Sequence, residues 1–270
     1  PPPPPPPSHH PPTTAPHPRL DSSAASDVYK RQPVHQVRSV AVLTGAGVSA
    51  ESGVPTFRGA GGLWRSFRAE ELATPHAFQR DPGLVWEWYD WRRGLIGGCR
   101  PNAAHRALVE MEPHFDEFTL ITQNVDGLHS LAGSGNIVEL HGNIWGLRCT
   151  AGCRSPWEER TVPLSELPPR CPSCGALARP DVVWFGESLP GDALDAAFAA
   201  VRRCQVMLVI GTSALVNPAA SMPLMALERG VYVVEINPQP TPLSDVVDEI
   251  IREPAADALP GWWRAWQAEG

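Results

Sequence analysis

The sequence predicts an α/β fold: a parallel sheet with helices on both faces, joined to a smaller module that carries four cysteines. Three observations lead there. Apolar runs rich in β-branched residues, at 39–44, 118–122, 206–210 and 231–236, alternate with stretches of helical periodicity. That is the pattern of parallel strands joined by crossover helices. The runs end in small or polar residues, as in Thr44-Gly45, Gln123-Asn124, Gly211-Thr212 and Asn237-Pro238, at the edge where open α/β sheets bind ligands. Four of the six cysteines form two close pairs, Cys149 with Cys153 and Cys171 with Cys174, separated by 17 residues.

A chain of 270 residues can bury a substantial core in one or two domains. A net charge of −7 argues against a nucleic-acid partner. No apolar run approaches the roughly 20 residues of a membrane-spanning helix, so no membrane partner is expected. Residues 1–36 open on seven prolines and continue in Pro, His, Thr and Ser. They have little to bury and are expected to form a disordered leader, either a linker or sequence foreign to the domain. The leader shows neither a basic-then-apolar secretory pattern nor an Arg-rich amphipathic one. A cytoplasmic location is therefore expected, with a mitochondrial one as the alternative.

Order is expected from residue 37 to residue 270. The first strand, 39–44, runs into Gly45-Ala46-Gly47 and a helix N-terminus, a common way to hold a pyrophosphate. The next glycine of the pattern is Gly53, later than in the usual dinucleotide fingerprint. Residues 59–65 are glycine-rich and read as a mobile loop over the site. Asp81-Pro82 reads as an N-cap and first helical position. In the helix that follows, Leu84, Trp88, Trp91 and Leu95 are expected to face the core, while Tyr89 and Arg92, three apart, can meet one ligand. A helix at 105–111 should turn Ala107, Leu108 and Met111 inward. Strands at 118–122 and 137–142 end in Gln123-Asn124-Val125-Asp126 and in His141. Residues 181–187 read as an extended, exposed edge. Helices at 192–203 and 219–229 alternate with strands at 206–210, 231–236 and 249–251, and a Trp-rich helix closes the chain. The polar strand tips should line one crevice.

The cysteine spacing, CxxxC and CxxC, is that of a four-thiolate zinc ribbon. With all four positions filled by Cys149, Cys153, Cys171 and Cys174, the metal is structural, not catalytic. Cys99 and Cys204 read as buried small apolar residues. His141 is the candidate base, since imidazole accepts a proton near neutral pH. His76, His105, His114 and His129 read as structural. Asn124 and Asp126 could cap the following helix instead of binding a ligand. An Arg beside a phenol makes a good fork for a carboxylate.

Together these motifs resemble the sirtuins, NAD-dependent protein lysine deacylases. The matching segments are 45–58, Gln123-Asn124-Val125-Asp126, Leu140-His141-Gly142, the four cysteines, Trp184-Phe185-Gly186-Glu187, Gly211-Thr212-Ser213 and Asn237-Pro238-Gln239, in family order. The resemblance implies a Rossmann-like core with a small module made of a helical part, 59–100, and a zinc ribbon, 145–180. It implies that NAD, consumed as co-substrate, is held by Gly45, Ala46, Gly47, Ser49, Ser52, Thr56, Phe57, Arg58 and Trp64. Gln123 would touch the nicotinamide ribose, and Asn124 and Asp126 the nicotinamide amide. Gly211, Thr212, Ser213, Asn237, Gln239 and Ala255 would line the adenosine half.

In the implied reaction the acyl oxygen attacks the ribose and nicotinamide leaves. His141 then deprotonates a ribose hydroxyl, and the products are free lysine and 2′-O-acyl-ADP-ribose. The acyl-lysine peptide would lie beside Val183, Trp184, Phe185, Gly186 and Glu187. Tyr89, Arg92 and the small Ala60 resemble the subgroup that removes succinyl, malonyl and glutaryl groups. A monomer acting on acyl-lysine proteins is expected. The competing readings are a deacetylase, a mono-ADP-ribosyltransferase, a non-catalytic NAD or ADP-ribose sensor, and a zinc-ribbon nucleic-acid module.

Overall fold

A computed structural model describes residues 33–55, 63–64 and 67–269. In chain order the strands are β1 (Ser39–Thr44), β2 (Leu63–Trp64), β3 (Phe67–Arg68), β4 (Glu117–Thr122), β5 (Ile137–Glu139), β6 (Gly142–Cys149), β7 (Trp157–Glu158), β8 (Ala178–Val182), β9 (Val206–Ile210), β10 (Tyr232–Ile236) and β11 (Glu249–Ile251). Six of them form one sheet in the order β11-β10-β9-β1-β4-β5. Every pairing in it is parallel. The strand order reverses at β1, which lies between β4 and β9, so the C-terminal ends of these strands open the crevice expected at such a switch point.

The two sheet faces follow from strand alternation. Val40 and Val42 point into a cluster with the helices Ala103–Met111 and Ala255–Ala268. Ala41 and Leu43 point into the opposite cluster, with the helices Gly191–Arg203 and Ser221–Glu228. Burial on both sides explains why β1 and β9 read as continuous apolar runs instead of alternating ones. Ala107, Leu108 and Met111 are buried as anticipated.

The small module has its own core, in which Val85, Trp86, Trp88, Tyr89 and Ile96 of one helix pack against Leu147, Val182 and Trp184. That helix, Pro82–Gly97, starts as the sequence suggests: the Asp81 side chain accepts from the Leu84 amide, with Pro82 at the first position. Its buried face differs from the expected one. Trp88 is buried, but Leu84 and Trp91 are half-buried and Leu95 is 40% exposed. The inward stripe is Val85, Trp88/Tyr89, Arg92 and Ile96. The large rings at 86, 88 and 89 find partners in the antiparallel β7-β6-β8 sheet, which rotates the helix away from the face its leucines mark.

Other differences are local. A 3-10 turn, Val34–Gln36, precedes the expected start of order, and Val34 packs on the core. The segment after β1 is a 3-10 helix, Ala46–Ser52, not an α-helix. No helix among the described residues is long and apolar enough to cross a membrane.

Candidate active site

A cleft of about 690 Å³ lies at the C-terminal ends of β1, β4 and β9 and extends to the small module. It is lined by Gly45, Ala46, Gly47, Gln123, Asn124, His141, Gly211, Thr212, Ser213, Asn237 and Gln239 on the sheet side. Tyr89, Arg92, Val183, Trp184, Phe185, Gly186 and Glu187 line it on the other. The polar strand tips therefore share one crevice, with one exception: Thr44, expected in its lining, is fully buried and does not reach it.

The glycine turn is shaped by its neighbour in the sheet. A Cβ on Gly47 would stand 2.7 Å from Gly211 Cα, and one on Gly45 would stand 2.8 Å from Thr212 Cα. The Gly47 amide donates to Gly211 O at 2.8 Å, and the Gly45 amide donates to Ile210 O at 3.0 Å. Two turns at adjacent strand ends thus press backbone to backbone, which any side chain would prevent. These amides brace the turns against each other, leaving the glycine backbone bare on the cleft floor.

Polar side chains lock the tips together. Asn124 Nδ2 donates to Gly45 O at 3.1 Å and to Ser49 Oγ at 3.2 Å. Gln123 Nε2 donates to Thr212 Oγ1 at 3.0 Å, and Asn237 Nδ2 donates to Thr212 O at 2.8 Å. His141 lies just past β5, its Nδ1 2.8 Å from Gln123 O. Burial pulls the imidazole pKa below its ordinary value, opposed by that hydrogen bond. His141 is therefore neutral near pH 7, with Nδ1 as donor and Nε2 as the free base.

Asp126 stands behind the cleft, 5% exposed, beside a separate pocket of about 160 Å³ that Cys99 and Trp145 also line. Its Oδ1 accepts from the Leu128 amide at 2.8 Å, but the N-cap of the short helix Leu128–Ala132 is Gly127, so Asp126 supports the turn before that helix instead of capping it. Burial raises its pKa, while the Leu128 amide and the Arg92 charge lower it. Ser49 and Ser52 do not line the cleft; Ser49 is fully buried, and the buried Ser52 Oγ has no hydrogen-bond partner among the described residues. Ala255 is buried in the core at the start of the last helix. Thr56, Phe57, Arg58 and Ala60 lie outside the described residues, as does most of the glycine-rich loop; Trp64 is described only as part of β2, which pairs with β3.

Tyr89 and Arg92 come together as their spacing suggests. They are 3% and 8% exposed, on the buried face of one helix. Burial lowers the Arg92 pKa, and Tyr89 and Asp126 oppose that shift. Burial also raises the Tyr89 pKa far above its ordinary value, so the phenol keeps its proton. The Arg92 guanidinium lies 5.4 Å from the Trp88 ring centroid. Trp88 lines the cleft too; its helical spacing marked it only as core.

Sequence reasoning also missed Leu215 and Val216, apolar and exposed in the cleft wall after Gly211-Thr212-Ser213. It missed the buried layer in which Thr44 Oγ1 donates to Thr122 Oγ1 at 2.9 Å and lies 3.0 Å from His129 Nε2. The threonines close apolar strands, which is the signal that could have found them. Segment 181–187 is not an exposed edge throughout: Trp184 is 2% exposed, while Phe185 is 49% exposed.

The four cysteines Cys149, Cys153, Cys171 and Cys174 meet at the end of the β7-β6-β8 sheet, with all sulfurs within 4.8 Å of one another. The hydrogen-bond-range pairs are 3.2 to 3.6 Å apart. Tetrahedral zinc with 2.3 Å bonds sets sulfurs about 3.8 Å apart, so the donor set fits one ion with no open position. None of the four lines the cleft. Cys99 and Cys204 are buried and unpaired, as anticipated.

Residues 45–218 match the Sir2 family. An "NAD-dependent protein deacylase" of Aquifex aeolicus is 55% identical over 221 residues, which cover 82% of this chain and 92% of the relative. "NAD-dependent protein deacylase 1" of Caldanaerobacter subterraneus is 56% identical over 214 residues, 79% of this chain and 88% of the relative. Among solved structures, a Sir2 homolog–NAD complex superposes with a TM-score of 0.83 at 47% identity, covering 88% of this chain and 93% of that one. A Sir2 bound to acetylated peptide superposes at 0.76 and 30% identity, covering 86% and 95%.

Proposed function

The chain belongs to the Sir2 family and is an NAD-dependent protein deacylase, and we propose that it prefers lysine acyl groups that end in a carboxylate: succinyl, malonyl and glutaryl. The observation that carries the preference is the burial of Tyr89 and Arg92 on one helix face, lining the cleft that also holds His141. A guanidinium beside a phenol grips a carboxylate with charge and geometry that a methyl group cannot use.

Bound NAD supplies a labile bond to nicotinamide, and its cleavage drives acyl transfer from lysine to ADP-ribose. The protein's share is position and proton control. Asn124, anchored to Gly45 O and Ser49, fixes the cleft floor next to the glycine turn. Gln123 and Asn237 hold Thr212 from two sides. His141 Nε2 takes the proton of a ribose hydroxyl, while its Nδ1–H stays on Gln123 O and keeps the ring oriented. The cysteine cluster would hold one zinc ion, which ties β6 to the loops before β8 and takes no part in the chemistry.

The test is incubation with acetyl- and succinyl-lysine peptides of one sequence, with and without NAD, read by mass spectrometry. Loss of the acyl mass only with NAD, faster for the succinyl peptide, is expected. Equal or faster deacetylation overturns the preference. A protein mass gain of ADP-ribose without peptide deacylation would favour ADP-ribosyl transfer instead.

A further inference from the structure

The Trp184 indole N–H donates to Tyr89 Oη at 2.8 Å. An indole nitrogen only donates, so it occupies a lone pair of the phenol and leaves the phenol's own proton to be given elsewhere. Among the described residues no second hydrogen bond of Tyr89 Oη is present, and Tyr89 and Arg92 line the same cleft.

The indole is held from several sides. The Arg179 guanidinium lies over it, 3.3 Å from the ring centroid, and Phe78 packs at 5.2 Å. Glu187 grips Arg179 with both oxygens, at 2.6 and 2.8 Å, and accepts the Trp184 backbone N–H at 2.9 Å. The Glu187 carboxylate is thereby turned to the protein's own groups. A bidentate, charge-assisted pair with its cation on the indole face leaves the ring little rotational freedom.

We propose that Trp184 is a positioning residue for acyl selectivity: it makes Tyr89 a hydrogen-bond donor toward the carboxylate of an acidic acyl-lysine, and the Arg179–Glu187 pair keeps the indole in place. The proposal rests on the acidic-acyl reading above. A distal carboxylate accepts the phenol's hydrogen bond, whereas an acyl group that ends in methyl has no acceptor at that end. The indole contact therefore acts on one substrate class more than the other.

The experiment measures kcat and KM on matched succinyl- and acetyl-lysine peptides at saturating NAD. The proteins are wild type, Trp184→Phe, Tyr89→Phe, their double variant and Arg92→Met. Phe keeps a ring for Arg179 and Phe78 but has no N–H. The succinyl-over-acetyl kcat/KM ratio should fall about fivefold in Trp184→Phe, mainly through the succinyl KM, as expected for one net hydrogen bond. The double variant should fall no further than Tyr89→Phe alone, because the indole acts through the phenol. An unchanged ratio in Trp184→Phe, or a loss that adds to that of Tyr89→Phe, overturns the proposal while Arg92→Met still collapses the ratio. A ratio untouched by Arg92→Met overturns the acidic-acyl reading, and this proposal with it. Glu187→Gln, which keeps the indole but loosens Arg179, should lower the ratio in the same direction. It decides the matter if Trp184→Phe does not fold.

Discussion

His141 Nδ1 sits 2.8 Å from the backbone oxygen of Gln123, and because a carbonyl only accepts, the ring proton lies on Nδ1 and the free lone pair on Nε2. The strand tip that contributes Gln123 to the cleft thus also sets the tautomer of the proposed base.

Burial holds the His141 pKa below its ordinary value, and only the neutral ring can accept a proton. On the acid side kcat/KM should therefore decline with an apparent pKa below about 6.5, the value of a free histidine. Replacing His141 with Tyr should abolish NAD-dependent deacylation while the circular dichroism spectrum stays native. Turnover retained in that variant would remove His141 from the mechanism.

Arg92 is the cation of the proposed acyl site. Arg92→Met should cost succinyl-peptide turnover roughly 10- to 100-fold more than acetyl-peptide turnover, the scale of one buried charge-assisted contact. Parallel kinetics on both peptides check it, and equal losses would count against the assignment.

Four thiolates this close repel one another unless a cation lies between them. Elemental analysis should find about one zinc per chain, and a thiol-modifying reagent should release it. Cys153→Ser should lower Tm by several degrees. Because the site lies away from the cleft, the residual activity should track the folded fraction.

Gly47 is pinned against Gly211: a methyl group on Gly47 would stand only 2.7 Å from the Gly211 Cα. Gly47→Ala must push two strand ends apart at a cost of about 1–3 kcal/mol. Thermal unfolding should show the loss, and calorimetry should show weaker NAD binding.

His105 and His129 are buried side by side, with ring centroids 4.7 Å apart. Burial pulls their pKa values down to about 4 and about 3. The unfolded chain binds their protons near pH 6.5 and the native one does not, so stability is full above that pH. It is lost as pH falls toward 4, at up to about 2.7 kcal/mol per pH unit while both sites differ. Urea midpoints from pH 7 to 4.5 measure this slope, and His129→Gln should halve the pair's contribution.

Much of this molecule is legible without coordinates because it depends on local chemistry. The β-branched run 39–44 reads as a strand buried on both faces; Asp81-Pro82 carries the N-cap and first-turn chemistry of its helix within two residues; and the cysteine spacing admits few arrangements besides a metal ribbon. The strand tips point to one crevice because parallel strands share a direction. Even Tyr89 and Arg92 are paired by helical period alone.

The tertiary structure decided what depends on partners distant in the chain. Which face of helix Pro82–Gly97 is buried was settled by the three-stranded sheet it meets, not by its leucines. The glycines of the first turn are required by Gly211, 164 positions after Gly47, because two backbones touch there. The tautomer of His141 comes from Gln123, and the hydrogen bond that Tyr89 Oη accepts comes from Trp184, 95 residues away. A sequence dictates the period and the caps, which arise within a few residues. Desolvation and hydrogen-bond direction arise only when separate segments close on one another.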